Sequence, residues 1–287
     1  MSEANSLFIS CHKASARVYP AGSVPYTDGN ELKGFAMVSG WNVFIRNEGG
    51  KPALISLDVD ARPAGAGKDA HLCLVAMRLR QPDVDGFPSR KELDGPIAGV
   101  EDSLARIASK ELGGRYVGRI TSGGMVVYFC YVPNANIARE RINAGLAAFN
   151  DYRFQFSAKN DPEWKDFFKI LYPNAEEMQG LANDGLLRTL AEHGDDHGIS
   201  REVDFSIRFA DESSRTRFRK AVEAAGYGVR HEDFDETGGE IPYELRIWLD
   251  TTVDKETIDD ICLDLMDLAD ACNARFNGWE TSVMKPD

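Results

Sequence analysis

The order of its predicted elements places this chain in the α+β class, as two ferredoxin-like α/β-sandwich units. Each is an antiparallel four-stranded sheet with helices on one face, and the first carries an extra N-terminal hairpin. Three observations predict this. Residues 71–158 read β-α-β-β-α-β, the residues after 200 read the same order again, and the charge balance changes sign between them. A length of 287 residues suits two domains of ordinary size. The expected division is an N-terminal extension over 1–32, a first domain over 33–173 and a second over 174–287.

In the first half, "GWNVFIRNEGGKPALISLDVD" reads as a hairpin, two strands around an Asn-Glu-Gly-Gly turn. "HLCLVAMRL" is an almost unbroken apolar run of strand length. "GPIAGVEDSLARIASKEL" has helical spacing at Ile97, Val100, Leu104, Ile107 and Leu112, and Gly113-Gly114 ends it. "RYVGRI" and "MVVYFCYV" are two strands, "ANIARERINAGLAAFN" a helix, and "YRFQFSA" a strand. "DPEWKDFFKILYP" predicts a helix over 162–171, with Asp161 as N-cap, Pro162 at its first position and Pro173 as its stop.

The second half opens with a helix, "AEEMQGLANDGLLRTLAEHG". "EVDFSIRF" alternates cleanly, with Val203, Phe205, Ile207 and Phe209 on one side. "SSRTRFRKAVEAAG" is a helix capped by Ser213 or Ser214 and ended by Gly226. "YGVRHEDF" and "IPYELRIWL" are strands. "DKETIDDICLDLMDLADACN" is a helix with Ile258, Ile261, Cys262, Leu265, Leu268 and Cys272 inward. In the last strand, "RFNGWETSV", Phe276 and Trp279 are three apart and would point to opposite faces of an unbroken strand. One extra residue at Asn277-Gly278, with a positive φ at the glycine, lets both enter the core.

The faces that helices leave uncovered differ between the units. The second presents Glu202, Asp204, Ser206 and Arg208 from one central strand and Glu244, Arg246 and Trp248 from the other, a polar face. In the first unit both faces of the central strands are apolar, so the second face is expected to lie under the 41–60 hairpin or the 162–171 helix.

Charge divides the chain. Residues 1–173 carry 21 Lys and Arg against 19 Asp and Glu, whereas residues 174–287 carry 12 against 27. The excess of negative charge lies wholly in the second half, which phosphate repulsion makes a poor ligand for nucleic acid. Its polar face also lacks the basic-aromatic signature of RNA-binding sheets, Trp248 being its one aromatic. Five scattered cysteines, odd in number and without a C-x-x-C pair, suit a reduced intracellular protein. Cys262 and Cys272 would lie about 15 Å apart on one helix, too far to bridge. Neither a signal sequence nor a membrane span is evident, so the cytoplasm is the expected location.

The carboxylates of the second half form two groups. Glu256, Asp259, Asp260, Asp264 and Asp267 recur every three or four residues, an acidic stripe opposite the apolar one. The loop "HEDFDETGGE" adds Glu232, Asp233, Asp235, Glu236 and Glu240. Such a surface either stays solvated or holds a disordered basic segment where RNA phosphates otherwise sit. With Glu244 at its margin, Trp248 is the candidate anchor for such a partner if exposed. "EHGDDHG" places His193, Asp195, Asp196 and His197 within five residues, the one metal-like cluster. Gly194 and Gly198 favour a loop there, shaped by Asp196 or Ser200, over a helical zinc pair. No nucleophilic triad, P-loop or dinucleotide fingerprint is present, and no cofactor is expected.

"LAEHGDD", the alternating first strand, the acidic helix and "FNGWETSV" together resemble the family named regulator of ribonuclease E activity B, over roughly residues 176–287. The Trp41 hairpin, "YVGRITSGGMVVYFCYV" and "NDPEWKDFFKILYP" resemble the uncharacterised domain of unknown function 695. The first resemblance implies a ferredoxin-like protein that inhibits ribonuclease E by contact with its basic scaffold region, and it brings no catalytic residues. The second implies no activity. The expectation is thus a non-enzymatic regulator of RNA degradation whose partner is ribonuclease E or another basic RNA-binding protein. Self-association through the first domain is a further option. The alternatives are a metal-assisted hydrolase using the His193–His197 cluster or a site in the first domain, and an adaptor with unrelated partners.

Overall fold

The computed structural model describes residues 31–32, 38–48, 50–65 and 68–286, so the 1–32 extension lies outside the described residues except for its last two. In chain order they form β1 (Glu31–Leu32), β2 (Trp41–Glu48), β3 (Lys51–Asp58), β4 (His71–Arg78), α1 (Arg90–Glu92), α2 (Ala98–Arg106), β5 (Arg115–Ser122), β6 (Met125–Val132), α3 (Ala135–Gly145) and β7 (Phe154–Asn160). There follow α4 (Ala175–Glu192), β8 (Arg201–Phe209), α5 (Glu212–Ala224), β9 (Gly228–Phe234), β10 (Tyr243–Thr251), α6 (Lys255–Ala271) and β11 (Ala274–Ser282). Two compact units result. One comprises 38–173 with Gly180–Thr189 from the middle of α4, and the other the remaining described residues.

The first unit is built on a six-stranded sheet of order β2-β3-β5-β6-β4-β7, antiparallel throughout. The apolar runs β4 and β6 lie inside it, as strands without a polar face must. Gly118 lets β5 draw close to β3, since a Cβ there would sit 2.4 Å from the Ser56 carbonyl oxygen. On one face Cys73, Val75, Met77, Val126, Tyr128 and Cys130 pack against Ile97, Val100, Leu104 and Ile107 of the helical run and against Ala138 and Ile142 of α3. That run winds as a π-helix at Leu93–Ile97 and Ile107–Glu111. The first wide turn holds Pro96, which has no N–H to donate. The second brings Ala108 into the core and leaves the predicted inward residue Leu112 only partly buried.

The opposite face is also buried, as its composition requires. Leu72, Phe129 and Tyr131 meet Trp164, Phe167 and Leu171, while Ile55 and Leu57 of the hairpin widen the same apolar surface. The 161–172 segment is therefore the cover, and the hairpin extends the sheet in its own plane. The segment is helical over a shorter span than its sequence predicts, 165–171 in place of 162–171. Asp161 accepts hydrogen bonds from the Lys165 and Asp166 amides, as a cap should. Trp164, however, takes a φ of 56° that keeps 162–164 out of the helical path, and the chain is wound only from 165 to 171, as one α-helical step into a π-helical stretch over Phe167–Leu171.

In the second unit the order is β1-β11-β8-β10-β9, again antiparallel, with β8 and β10 central among its four long strands. Val203, Phe205, Ile207, Phe209, Leu245 and Ile247 are buried, as are Phe218 and Val222 of α5 and Ile258, Cys262, Leu265 and Ala269 of α6. Of the predicted inward residues of α6, Ile261 and Leu268 are only half-buried. The N-cap of α5 is Asp211, not the expected Ser213 or Ser214. Its extended backbone sets its carboxylate beneath the Ser214 amide, 2.8 Å away, and both serine hydroxyls donate to it. Those hydrogen bonds, Ser213's foremost, hold the Asp211 carboxyl down at about 2.

The bulge in the last strand is present. Phe276 pairs with Ile207 and Trp279 with Phe205, so two intervening residues face one on β8. Gly278 has a φ of 119°, and Trp279 is buried on the helix side of the sheet.

Candidate partner-binding surface

Strand alternation brings the charged residues of β8 and β10 to the face away from the helices, and the structure pairs them off. Arg230 donates to Asp204 at 2.9 Å and to Glu202 at 2.7 Å. Arg208 donates to Glu244 at 3.2 Å, the Ser206 hydroxyl donates to Glu244 at 2.9 Å, and Arg246 pairs with Glu280. Trp248 is half-buried. Its indole lies over Gly228, where a Cβ would come within 2.1 Å of the ring nitrogen, and the Arg230 guanidinium sits 5.3 Å from the ring centroid. Glu244 and Trp248 thus belong to a face that satisfies its own charges.

The β9–β10 connection divides its carboxylates. Glu232 turns towards α5 and binds Arg215 at 3.1 Å and Arg219 at 2.6 Å. Asp233 accepts its neighbour's amide at 2.8 Å. Hydrogen bonds from the Thr237 hydroxyl and amide, with a longer one from Arg208, hold the Asp235 carboxyl below its ordinary range. Glu236 and Glu240 are exposed.

Helix α6 is different. Asp254 caps it by accepting the Thr257 amide at 3.1 Å, and Lys255 pairs with Asp259 at 2.9 Å. Glu256, Asp260, Asp264 and Asp267 follow on one exposed ridge. Among the described residues, no cation lies within ion-pair distance of these four. Partial burial, and then the charges of Asp260 and Asp267, raise the Asp264 carboxyl above its ordinary value.

A raised value means that the folded chain holds this proton more readily than the unfolded one. Stability therefore falls as pH climbs from the ordinary aspartate range through the raised value, and the deficit persists at neutral pH. Asp264→Asn removes it. Solvent screening keeps the effect small, so we expect a Tm about 1 °C higher at pH 7, with the gap closing below about pH 4. A thermal melt at both pH values checks this, and a lower Tm at pH 7 would contradict it.

The 193–197 cluster is a turn following α4. Asp196 shapes it, accepting the Gly198 amide at 3.0 Å. The Asp195 carboxylate is buried against Arg201, which also donates to the carbonyls of Asp196, Ile199 and Ser282. The Met284 amide donates to Asp195 as well, at 2.6 Å. His197 stands with its Nε2 3.8 Å from an Asp195 oxygen. Among the described residues, no group of three His, Cys, Asp or Glu side chains is placed to hold a metal ion, and no helix is long and apolar enough to cross a membrane. Arg201 and Arg230 organise these two sites, and sequence reasoning missed the pairing of both. The available signal was an arginine on a strand flanked by carboxylates.

No curated protein matches the chain. A solved structure titled "Crystal Structure of an Unknown Protein from Galdieria sulphuraria" is 8% identical, covers 75% of this chain and 99% of its own, and superposes with a TM-score of 0.21. At that score it supports no statement about the fold. Two family models match parts of the chain: a family of unknown function (DUF695) over residues 39–172, and Regulator of ribonuclease activity B over residues 181–281.

Proposed function

We propose that the chain regulates RNA degradation in the cytoplasm without catalysing a reaction. In this reading its second domain, 174–287, captures a basic segment of ribonuclease E or a related RNA-processing protein. The match of residues 181–281 to a regulator of ribonuclease activity carries the proposal. The contact surface is the α6 ridge of Glu256, Asp260, Asp264 and Asp267, and the exposed Glu236 is a separate candidate contact. Glu232, Asp233, Asp235, Glu244 and Trp248 are engaged within the unit and would contribute less. Both units read as ferredoxin-like: β7-β4-β6-β5 and β11-β8-β10-β9 repeat one strand order, fourth-first-third-second. On this ridge, among the described residues, the carboxylates lack internal cations, so a lysine- or arginine-rich segment would relieve repulsion as well as form ion pairs.

The test is titration of the full-length protein with the basic scaffold segment of ribonuclease E across a salt series. Binding is expected to weaken steeply as salt rises, and to fall at least about tenfold on replacing Asp260, Asp264 and Asp267 with lysine. The triple variant should keep the parent's fold, because all three side chains are exposed and three lysines repel one another no more than three carboxylates do. A folded triple variant that binds as the parent does would refute the proposed surface. Absence of binding by the parent at low salt would refute the ribonuclease E reading.

A further inference from the structure

Strand β2 is an edge of the six-stranded sheet and runs for eight residues. Trp41, Val43 and Ile45 alternate along it on one face, and they are 51%, 53% and 60% exposed. The Trp41 ring is steadied by stacking on Tyr116, with centroids 5.4 Å apart, but its outer half remains open. No other described strand lies beside the outer backbone of β2. The long edges elsewhere are defended. β7 exposes Gln155, Ser157 and Lys159, and β9 carries Arg230, His231, Glu232 and Asp233. On β2 the one cation with a described side chain, Arg46, is turned inward, donating to the carbonyls of Ile170 at 2.6 Å and Tyr172 at 3.0 Å. Among the described residues and side chains, the edge therefore combines backbone without a partner strand, an apolar stripe and no charge projecting from it.

We propose that β2 pairs with β2 of a second copy of this chain, antiparallel about a two-fold axis at Val43, to join the two sheets edge to edge. The strand complements itself in that register. Val43 meets Val43, Trp41 meets Ile45 on both sides of the axis, and Arg46 falls opposite Gly40, so no like charges meet. Charge elsewhere agrees. Residues 38–173 carry 18 Lys and Arg against 16 Asp and Glu, so the paired edges belong to a nearly neutral unit.

Sedimentation of the full-length protein over a wide concentration series tests this. The parent is expected to be a dimer. Val43→Lys and Ile45→Lys place lysines against their own copy or its tryptophan and should weaken dimerisation by about 100-fold. Both sites are exposed, so the melting of the dissociated variants should match that of a monomer with an intact fold. Val43→Cys treated with diamide should yield a covalently linked dimer, whereas Asn47→Cys should not. A parent that stays monomeric throughout, or a dimer that survives both lysine variants, would overturn the proposal.

Discussion

Replacing Trp164 with alanine is expected to destabilise the first unit by about 3–5 kcal/mol, the range for removing a fully buried large aromatic. The ring is wholly buried, stacks on Tyr131 with centroids 4.0 Å apart, and meets Phe167 edge-on at 5.5 Å. Its Nε1 donates to the Asp69 carbonyl at 3.1 Å, so truncation also strands a buried acceptor. The loss spreads beyond one side chain, because the 161–172 segment is what keeps water from Leu72, Phe129 and Tyr131. Trp164→Gly separates the two contributions. It removes the same ring but eases the positive φ, and should therefore be less damaging than the alanine variant. Urea unfolding followed by far-ultraviolet circular dichroism measures both. A loss below about 1 kcal/mol for alanine would mean that the second face is closed by something else.

The second large effect is expected at the start of β8. Arg201→Met leaves the Asp195 carboxylate buried and uncompensated, which costs about 3–5 kcal/mol. Side-chain exposures of 3% and 0% make this a buried pair in the strict sense. Arg201 also ties Asp196, Ile199 and Ser282 together, so its loss frees the turn after α4 from the end of the sheet. Combining Arg201→Met with Asp195→Leu removes both charges and should recover a good part of the stability, leaving the Met284 amide and the three carbonyls as the remaining cost. A double variant no better than the single would show that Arg201 acts through those carbonyls and not through its charge. The cycle also bears on the 193–197 cluster, since an aspartate committed to an arginine is not a free metal ligand.

Much of this molecule is legible in its sequence because much of it depends on periodicity. Val203, Phe205, Ile207 and Phe209 announce a sheet with one covered face, and the unbroken runs of β4 and β6 announce a sheet covered on both. Asn277-Gly278 announces the bulge because only an inserted residue lets Phe276 and Trp279 share a side. What periodicity does not carry is the path of 161–172. There Trp164 leaves the helical region to bury its ring, a tertiary gain that overrides the Pro162 start signal and delays the helix to Lys165, while Asp161 still caps it. Nor does it rank neighbouring caps: Asp211 takes the role of Ser213 or Ser214 through an extended backbone that composition does not encode.

The candidate surface was legible as a set of carboxylates but not as a set of available ones. Glu232 and Asp260 look alike in the sequence. They differ because Glu232 faces Arg215 and Arg219 across the strand–helix interface, while Asp260 has no cation within ion-pair distance among the described residues and lies near Asp264. Trp248 was legible as a residue of the open face. That Gly228 lies flat beneath it, with Arg230 against the ring, depends on strand register and not on any local pattern.

The pairing of Arg230, Arg208 and Arg246 with their carboxylates has a consequence for how the second unit is met by anything mobile. Charges that cancel within a few ångströms have little reach, so at a distance of about 8–10 Å in physiological salt that sheet face is nearly silent. The α6 ridge is not. A cation approaching at random is therefore turned towards one side of the unit before it touches anything, and the direction of arrival is set by which carboxylates the fold has left without a partner.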